Sequence, residues 1–173
     1  MEYEVYEVRV SSSGSKYWYQ DGQLHRLDGP AIEYSNGDKS WWFDGKRHRL
    51  DGPAVEHSDG YKAWWFNGKR HRLDGPAVEH SDGYKAWYQN GERHRIDGPA
   101  IEFADGYKKW LQNDKLHRLD GPAIEDINGT KYWYINGTKL TEEEFIKHTS
   151  IVPCDSTIIE VNGKKYRLIE KNL

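Results

Sequence analysis

The seventeen residues HRLDGPAVEHSDGYKAW fill positions 48–64 and then, unchanged, positions 71–87. The step is 23 residues, and it runs far beyond that pair. His25, His48, His71, His94 and His117 keep it, as do Arg26, Arg49, Arg72, Arg95 and Arg118. So do the DGPA stretches at 28–31, 51–54, 74–77, 97–100 and 120–123, and Glu33, Glu56, Glu79, Glu102 and Glu125. Trp18, Trp41, Trp64, Trp87, Trp110 and Trp133 make a further match, and nothing is inserted or lost across five units. A strict period of this length constrains the fold more than any other property of the chain. One unit of 23 residues cannot bury an apolar face by itself, so identical neighbours must bury it by stacking.

Within a unit the punctuation is turn chemistry. One Asx-Gly pair recurs at Asn36-Gly37, Asp59-Gly60, Asp82-Gly83, Asp105-Gly106 and Asn128-Gly129. A second recurs at Asp21-Gly22, Asp44-Gly45, Asn67-Gly68, Asn90-Gly91 and Asn136-Gly137, with Asn113-Asp114 in its place in the fifth unit. Such pairs accept the positive φ angles of tight hairpin turns. Six residues lie between the two turns, as in YKAWWF at 61–66, which is strand length and strand composition. The return segment contains Asp-Gly-Pro, and proline has no N–H for a ladder, so a kink or bulge is expected there. With Asn36-Gly37 as a two-residue turn, Ile32 falls opposite Trp41 and Ala31 opposite Trp42, giving facing aromatic and branched pairs. Leu27, Leu50, Leu73, Ile96 and Leu119 are expected to add an apolar ladder.

The expected fold is therefore all-β, an elongated array of hairpin repeats over residues 16–137. Two strands per unit would advance it by about 10 Å. End strands are open edges and need caps. Residues 1–15 supply an alternating strand, EYEVYEVRV, and a serine-rich loop. Residues 138–173 supply a short helix, with Thr141 and Glu144 as a capping box and Phe145 and Ile146 as docking residues. A hairpin around Asn162-Gly163 follows.

The period and punctuation resemble the MORN repeat, in its MORN-like variant form. The matching stretches are WFNGKRHRLDGPA at 65–77 and YQNGERHRIDGPA at 88–100. The HRxDGPAxE form, followed by INGTKLTEEEF at 135–145, is similar to sequences from phages and large DNA viruses. The resemblance covers residues 16–146. It implies a hairpin array acting as a scaffold or binding surface, and a phage protein engaging a host factor, for instance part of a defence system. The chain departs from the common pattern by the inserted RxD before Gly-Pro.

Charge and composition narrow the function. The net charge of −3 provides no basic field for DNA, RNA or an anionic membrane, so no sequence-specific nucleic acid and no membrane partner is expected. No apolar run reaches the length of a membrane span. The one cysteine, Cys154, cannot form an internal disulfide and fits a reducing, cytoplasmic setting. Aromatic residues make up 14% of a chain that is 31% charged, which points to a thin structure with half-buried Trp and Tyr.

The repeated His-Arg-x-Asp clusters are the tempting chemical sites. Equivalent histidines about 10 Å apart cannot share an ion whose ligands lie about 2 Å away, so no metal or other cofactor is expected. His48, Arg49, Asp51, His71, Arg72, Asp74, His94, Arg95 and Asp97 read instead as corner braces. Asp would accept backbone N–H groups, and Arg or His would pair with it or with the glutamate of a neighbouring unit. Catalysis needs a unique constellation, and repetition supplies copies of one cluster. The unique His148 and Cys154 have nothing to orient them, so no enzyme is expected. The second aromatic of each strand alternates to the other face, where Trp42, Trp65 and Tyr88, flanked by Arg47, Arg70 and Arg93, would make a protein-binding patch. A small anionic ligand such as a signalling nucleotide, and a purely structural spacer, are the other readings, with the chain a monomer or dimer.

Overall fold

A computed structural model describes residues 5–149 and the strands Ile158–Val161 and Lys164–Arg167. Fourteen strands form one antiparallel sheet, and each unit contributes two of them. In the second unit these are Val55–Glu56 and Lys62–Ala63. They pair with each other, and Lys62–Ala63 pairs onward with Val78–Glu79 of the next unit. Each unit thus lengthens the sheet by about 10 Å.

Beside the sheet runs a second row, made of short hairpins. Trp65–Phe66 and Lys69–Arg70 form one of them, closed by Asn67 at φ 47° and Gly68 at φ 78°. Both central residues being left-handed marks the two-residue type I′ turn. Successive hairpins are tied by backbone bonds: the Gly68 N–H donates to the Arg47 carbonyl (2.9 Å), and the Arg49 N–H to the Trp65 carbonyl (3.2 Å). In the fifth unit Asn113 and Asp114 take φ 49° and 60°, a conformation that Asx residues tolerate.

The first tryptophan of each unit is the joint between the two rows. The Trp64 N–H donates to the Ala77 carbonyl (2.9 Å), and the Trp64 carbonyl accepts from the His71 N–H (3.1 Å). The six-residue strand expected at YKAWWF is therefore divided at Trp64 into Lys62–Ala63 in the sheet and Trp65–Phe66 in the hairpin row. Dividing it lets Trp65 and Tyr88 lean back over the sheet. The core lies between the rows, with Val55, Val78, Ile101, Ala63 and Ala86 from the sheet, Ala100 from the corner before it and Leu111 from the hairpins.

The structure corrects the expected register. Ile32 faces Ser40, and Glu33 faces Lys39, so Trp41 and Trp42 are not the partners of Ile32 and Ala31. The loop is longer than two residues: the Tyr34 N–H donates to the Asp38 carbonyl (2.9 Å) and the Gly37 N–H to the Tyr34 carbonyl (3.0 Å). Only Gly37, at φ 92°, is left-handed. The Asn36 side-chain oxygen accepts the Asp38 N–H (3.1 Å), an Asx turn that holds Asn36 out of the left-handed region. Asp59 does the same for the Tyr61 N–H (2.9 Å). One extra loop residue shifts the pairing by one and changes which side chains meet.

The proposed apolar ladder is also corrected. Leu27, Leu50, Leu73, Ile96 and Leu119 are 57–83% exposed, because each sits at the tip of a corner whose interior is filled by arginine. Arg49 donates through Nε to Asp51 (2.9 Å), and through Nη1 to the Pro53 carbonyl (3.1 Å) and to Glu56 (2.8 Å). Its guanidinium lies 4.0 Å from the Trp41 ring centre. Arg72 repeats this with Asp74, Glu79 and Trp64, and Arg95 with Asp97, Glu102 and Trp87. The paired glutamate belongs to the arginine's own unit, since only seven residues separate them; it is not the neighbour's, as the sequence reading had allowed. The guanidinium explains the corner glycine: a Cβ at Gly98 would lie 2.8 Å from Arg95 Cζ. Arginine beside them holds the carboxyls of Asp51, Asp74, Asp97 and Asp120 below the ordinary range. The histidines brace the next unit. His48 Nδ1 accepts the Asn67 N–H (3.3 Å), His71 Nδ1 that of Asn90 (3.1 Å), and His94 Nδ1 that of Asn113 (3.3 Å).

At the front, Glu7–Val10 pairs with Lys16–Gln20. At the back, Glu142–Thr149 is helical. The Glu144 N–H donates to Thr141 Oγ1 (3.2 Å), and Glu144 accepts the Thr141 N–H (2.8 Å). Phe145 is buried against Trp133, with ring centres 4.7 Å apart. Ile146 is 54% exposed and does not dock, since the helix buries only one narrow face. Ile158–Val161 and Lys164–Arg167 form a two-stranded sheet of their own. Cys154 lies outside the described residues, and His148 is exposed.

Ser40 stands in the column that Ala63 and Ala86 fill, and its buried hydroxyl has no hydrogen-bond partner. Ser40→Ala is expected to stabilise the chain by about 1 kcal/mol in urea unfolding. Gly98→Ala should displace Arg95 from its corner and destabilise by about 2 kcal/mol in the same measurement.

Candidate functional site

The six residues expected to form a binding patch fall in the hairpin row, and five of them join in one stack. The Arg47 guanidinium lies 5.2 Å from the ring centres of both Trp42 and Trp65. Arg70 lies 5.2 Å from Trp65 and 5.4 Å from Tyr88. The order along the array is Trp42, Arg47, Trp65, Arg70, Tyr88. The geometry follows from the type I′ turn, which places Trp65 opposite Arg70 in one hairpin, while the array step brings Arg47 of the preceding hairpin equally close to the same indole.

Arg93 is different. Its Nε donates to Asp114, the residue that stands where the other hairpin turns have glycine. The Asp114 carboxylate neutralises Arg93, and Leu111 replaces the second aromatic and is buried. The stack therefore stops at Tyr88.

Arg47 and Arg70 differ from the corner arginines in one decisive way. Arg26, Arg49, Arg72, Arg95 and Arg118 each hold two carboxylates. Among the described residues Arg47 and Arg70 hold none. Their Nε atoms, and the indole nitrogens of Trp42 and Trp65, are buried donors without an acceptor. A cation flanked by π faces and lacking a counter-ion is stabilised only in part, at about 0.5–2 kcal/mol per contact, and it retains its capacity to fork onto an anion. The tryptophans themselves are half-buried. They act as walls for the arginines and cover for the core, and their indole rings are not free-standing anchors.

A second aromatic ladder flanks the stack on the sheet side. His57, Tyr61, His80, Tyr84, Phe103 and Tyr107 follow one another with ring centres 4.8–5.4 Å apart. Between ladder and stack lies a cleft of about 380 Å³, lined by Tyr61, Arg70, Val78, His80, Asp82, Tyr84, Tyr88 and Phe103. Burial pushes the Tyr84 phenol above its ordinary value, negative charge on the neighbouring Tyr88 oxygen adds to the effect, and the Arg70 cation opposes it. The sequence reading missed this ladder. Its signal was present in the columns 57, 80, 103 and 61, 84, 107, which hold aromatic or imidazole rings throughout, but which face they share depends on the corrected register.

The nine brace residues do not converge on any one point. Their arginines and aspartates close the corners and their histidines close the next turns. Among the described residues no three His, Cys, Asp or Glu side chains gather as a metal site, and no helix is long and apolar enough to cross a membrane.

A raised tyrosine pKa stabilises the fold below the ordinary tyrosine range and withdraws that stability as pH rises through the raised value. Alkaline melting of the wild-type chain should therefore show a loss above about pH 10 that Tyr84→Phe reduces. Unchanged alkaline curves would show that Tyr84 ionises freely. No protein-family model matches this chain, and the comparison with curated proteins finds no match.

Proposed function

We propose that the chain is a non-enzymatic protein-binding module, and that its Arg47–Arg70 stack receives the carboxylates of an acidic segment in a partner protein. The observation that carries this reading is that, among the described residues, Arg47 and Arg70 hold no ion pair, whereas the five corner arginines each hold two. Arginine and aromatic side chains together are the residues most enriched at the energetic centres of interfaces. Successive stack arginines are one unit apart, about 10 Å, so the partner would present acidic groups at that spacing. The resemblance of the repeat to phage and large-virus sequences makes a host-cell protein the first partner to seek.

A nucleotide in the cleft is the second reading, favoured by one observation: Arg70, Tyr84 and Tyr88 line the same cleft of about 380 Å³, which lies within the range of small-ligand sites. Aromatic faces would stack a base and arginine would hold a phosphate.

Immobilised wild-type chain is expected to retain one stoichiometric protein with an acidic segment from a cell lysate. The double variant Arg47→Gln, Arg70→Gln should lose it while still folding cooperatively, with a melting temperature lowered only by the loss of the cation–π contacts. Capture that survives the double substitution would sink the protein-binding reading. A melting-temperature rise with one nucleotide, in the absence of any protein and abolished by Arg70→Gln, would favour the second reading.

A further inference from the structure

The front edge of the sheet carries a pattern that fits a second copy of the same chain. Among the described residues Glu7–Val10 pairs on one side only, with Lys16–Gln20. The bonded and non-bonded positions of an antiparallel pair alternate, and the Ser11 N–H donates to the Ser15 carbonyl (2.9 Å). Counting back from Ser11, Arg9 and Glu7 turn their backbone groups inward, and Val8 and Val10 turn theirs outward. Trp18, opposite Val8, agrees with this count: its N–H goes to the Ala31 carbonyl (2.9 Å) and its carbonyl to the His25 N–H (3.1 Å), both on the far side.

This edge lacks several of the usual protections. It has no proline, bulge or lysine; its protection is its length of four residues and the charges of Glu7 and Arg9, which a partner of matching charge pattern would neutralise, and Val8 and Val10 are 48% and 63% exposed. The charges then select a register. Two copies meeting antiparallel across Val8 place each Glu7 opposite the partner copy's Arg9, and Val8 opposite its own symmetry mate. Sliding by one bonded pair in either direction opposes Arg9 to Arg9 or Glu7 to Glu7. Only the central register makes two opposite-charge pairs, and like charges directly opposite are destabilising.

We infer that the chain forms a two-fold dimer by antiparallel pairing of Glu7–Val10 with its copy, joining the two sheets into one. Val8 supplies two backbone hydrogen bonds at the axis, and the Glu7–Arg9 pairs flank them. Within one chain Glu7 and Arg9 already lie side by side at 2.8 Å on the same face, so the dimer would close a four-member charge cluster. The two-fold axis stands perpendicular to the sheet, so both copies present the same face on the same side.

Sedimentation of the full chain over a wide concentration range tests this directly. The wild type is expected to dimerise. Glu7→Arg and Arg9→Glu, each alone, should weaken the dimer at least about tenfold, with circular dichroism unchanged. An equimolar mixture of the two variants restores both opposite-charge pairs and should dimerise again, as should the double exchange in one chain. A wild type that stays monomeric throughout, single variants that still dimerise, or a mixture that stays monomeric would each overturn the inference.

Discussion

Each unit turns on one guanidinium. The corner arginine stacks on the first tryptophan, lies against a glycine that has no Cβ to exclude it, and bonds to an aspartate, a glutamate and a proline carbonyl. These contacts connect the strand before the corner, the corner itself and the strand after it. A single side chain thereby does what a deep apolar core does in a thicker protein. That accounts for a chain that is 31% charged and still regularly folded. Arginine suits the task because its planar fork satisfies several acceptors while its faces remain available to an indole.

The same residue type serves two ends on the two sides of the array. At the corners arginine is neutralised by its own unit, leaving Leu50 and its equivalents as exposed tips. In the hairpin row Arg47 and Arg70 lie between rings without a counter-ion among the described residues, while Arg93 is quenched by Asp114. The chain's overall negative charge of −3 therefore conceals a short cationic strip. Two differences in the fifth unit, aspartate for glycine in the turn and Leu111 for the second aromatic, set its length.

Stacking of near-identical units leaves the ends as the least protected places. The back is closed by Phe145 of a capped helix. The front is closed by a strand whose outer side, among the described residues, carries backbone groups with no sheet beyond them. In a quasi-one-dimensional protein each unit is stabilised by its neighbours, so whatever covers that edge lends stability to the first units most.

Much of the architecture was legible in the letters. The period of 23 residues, the Asx-Gly turns and the capping box are local rules, and they carried the all-β array, the type I′ hairpins and the terminal helix. The failures were non-local. Asn36-Gly37 and Asp44-Gly45 look alike as text, yet one closes a loop longer than two residues and the other a loop of two. The difference lies in whether the Asx side chain bonds the N–H two residues ahead or the turn is gripped by a histidine 19 residues before it. Leu50 reads as core by its type, but Arg49 fills the space it would need. The sequence separates Arg49, at a corner beside Asp51, from Arg47 in the patch, but it does not separate Arg47 and Arg70 from Arg93, whose pairing with Asp114 depends on which hairpin comes back beside it. Sequence alone determined the repeating unit and its turns, which depend on residues close in the chain. Register, burial and the division between paired and unpaired arginine were decided only when the strands met, because each depends on the opposing strand's position.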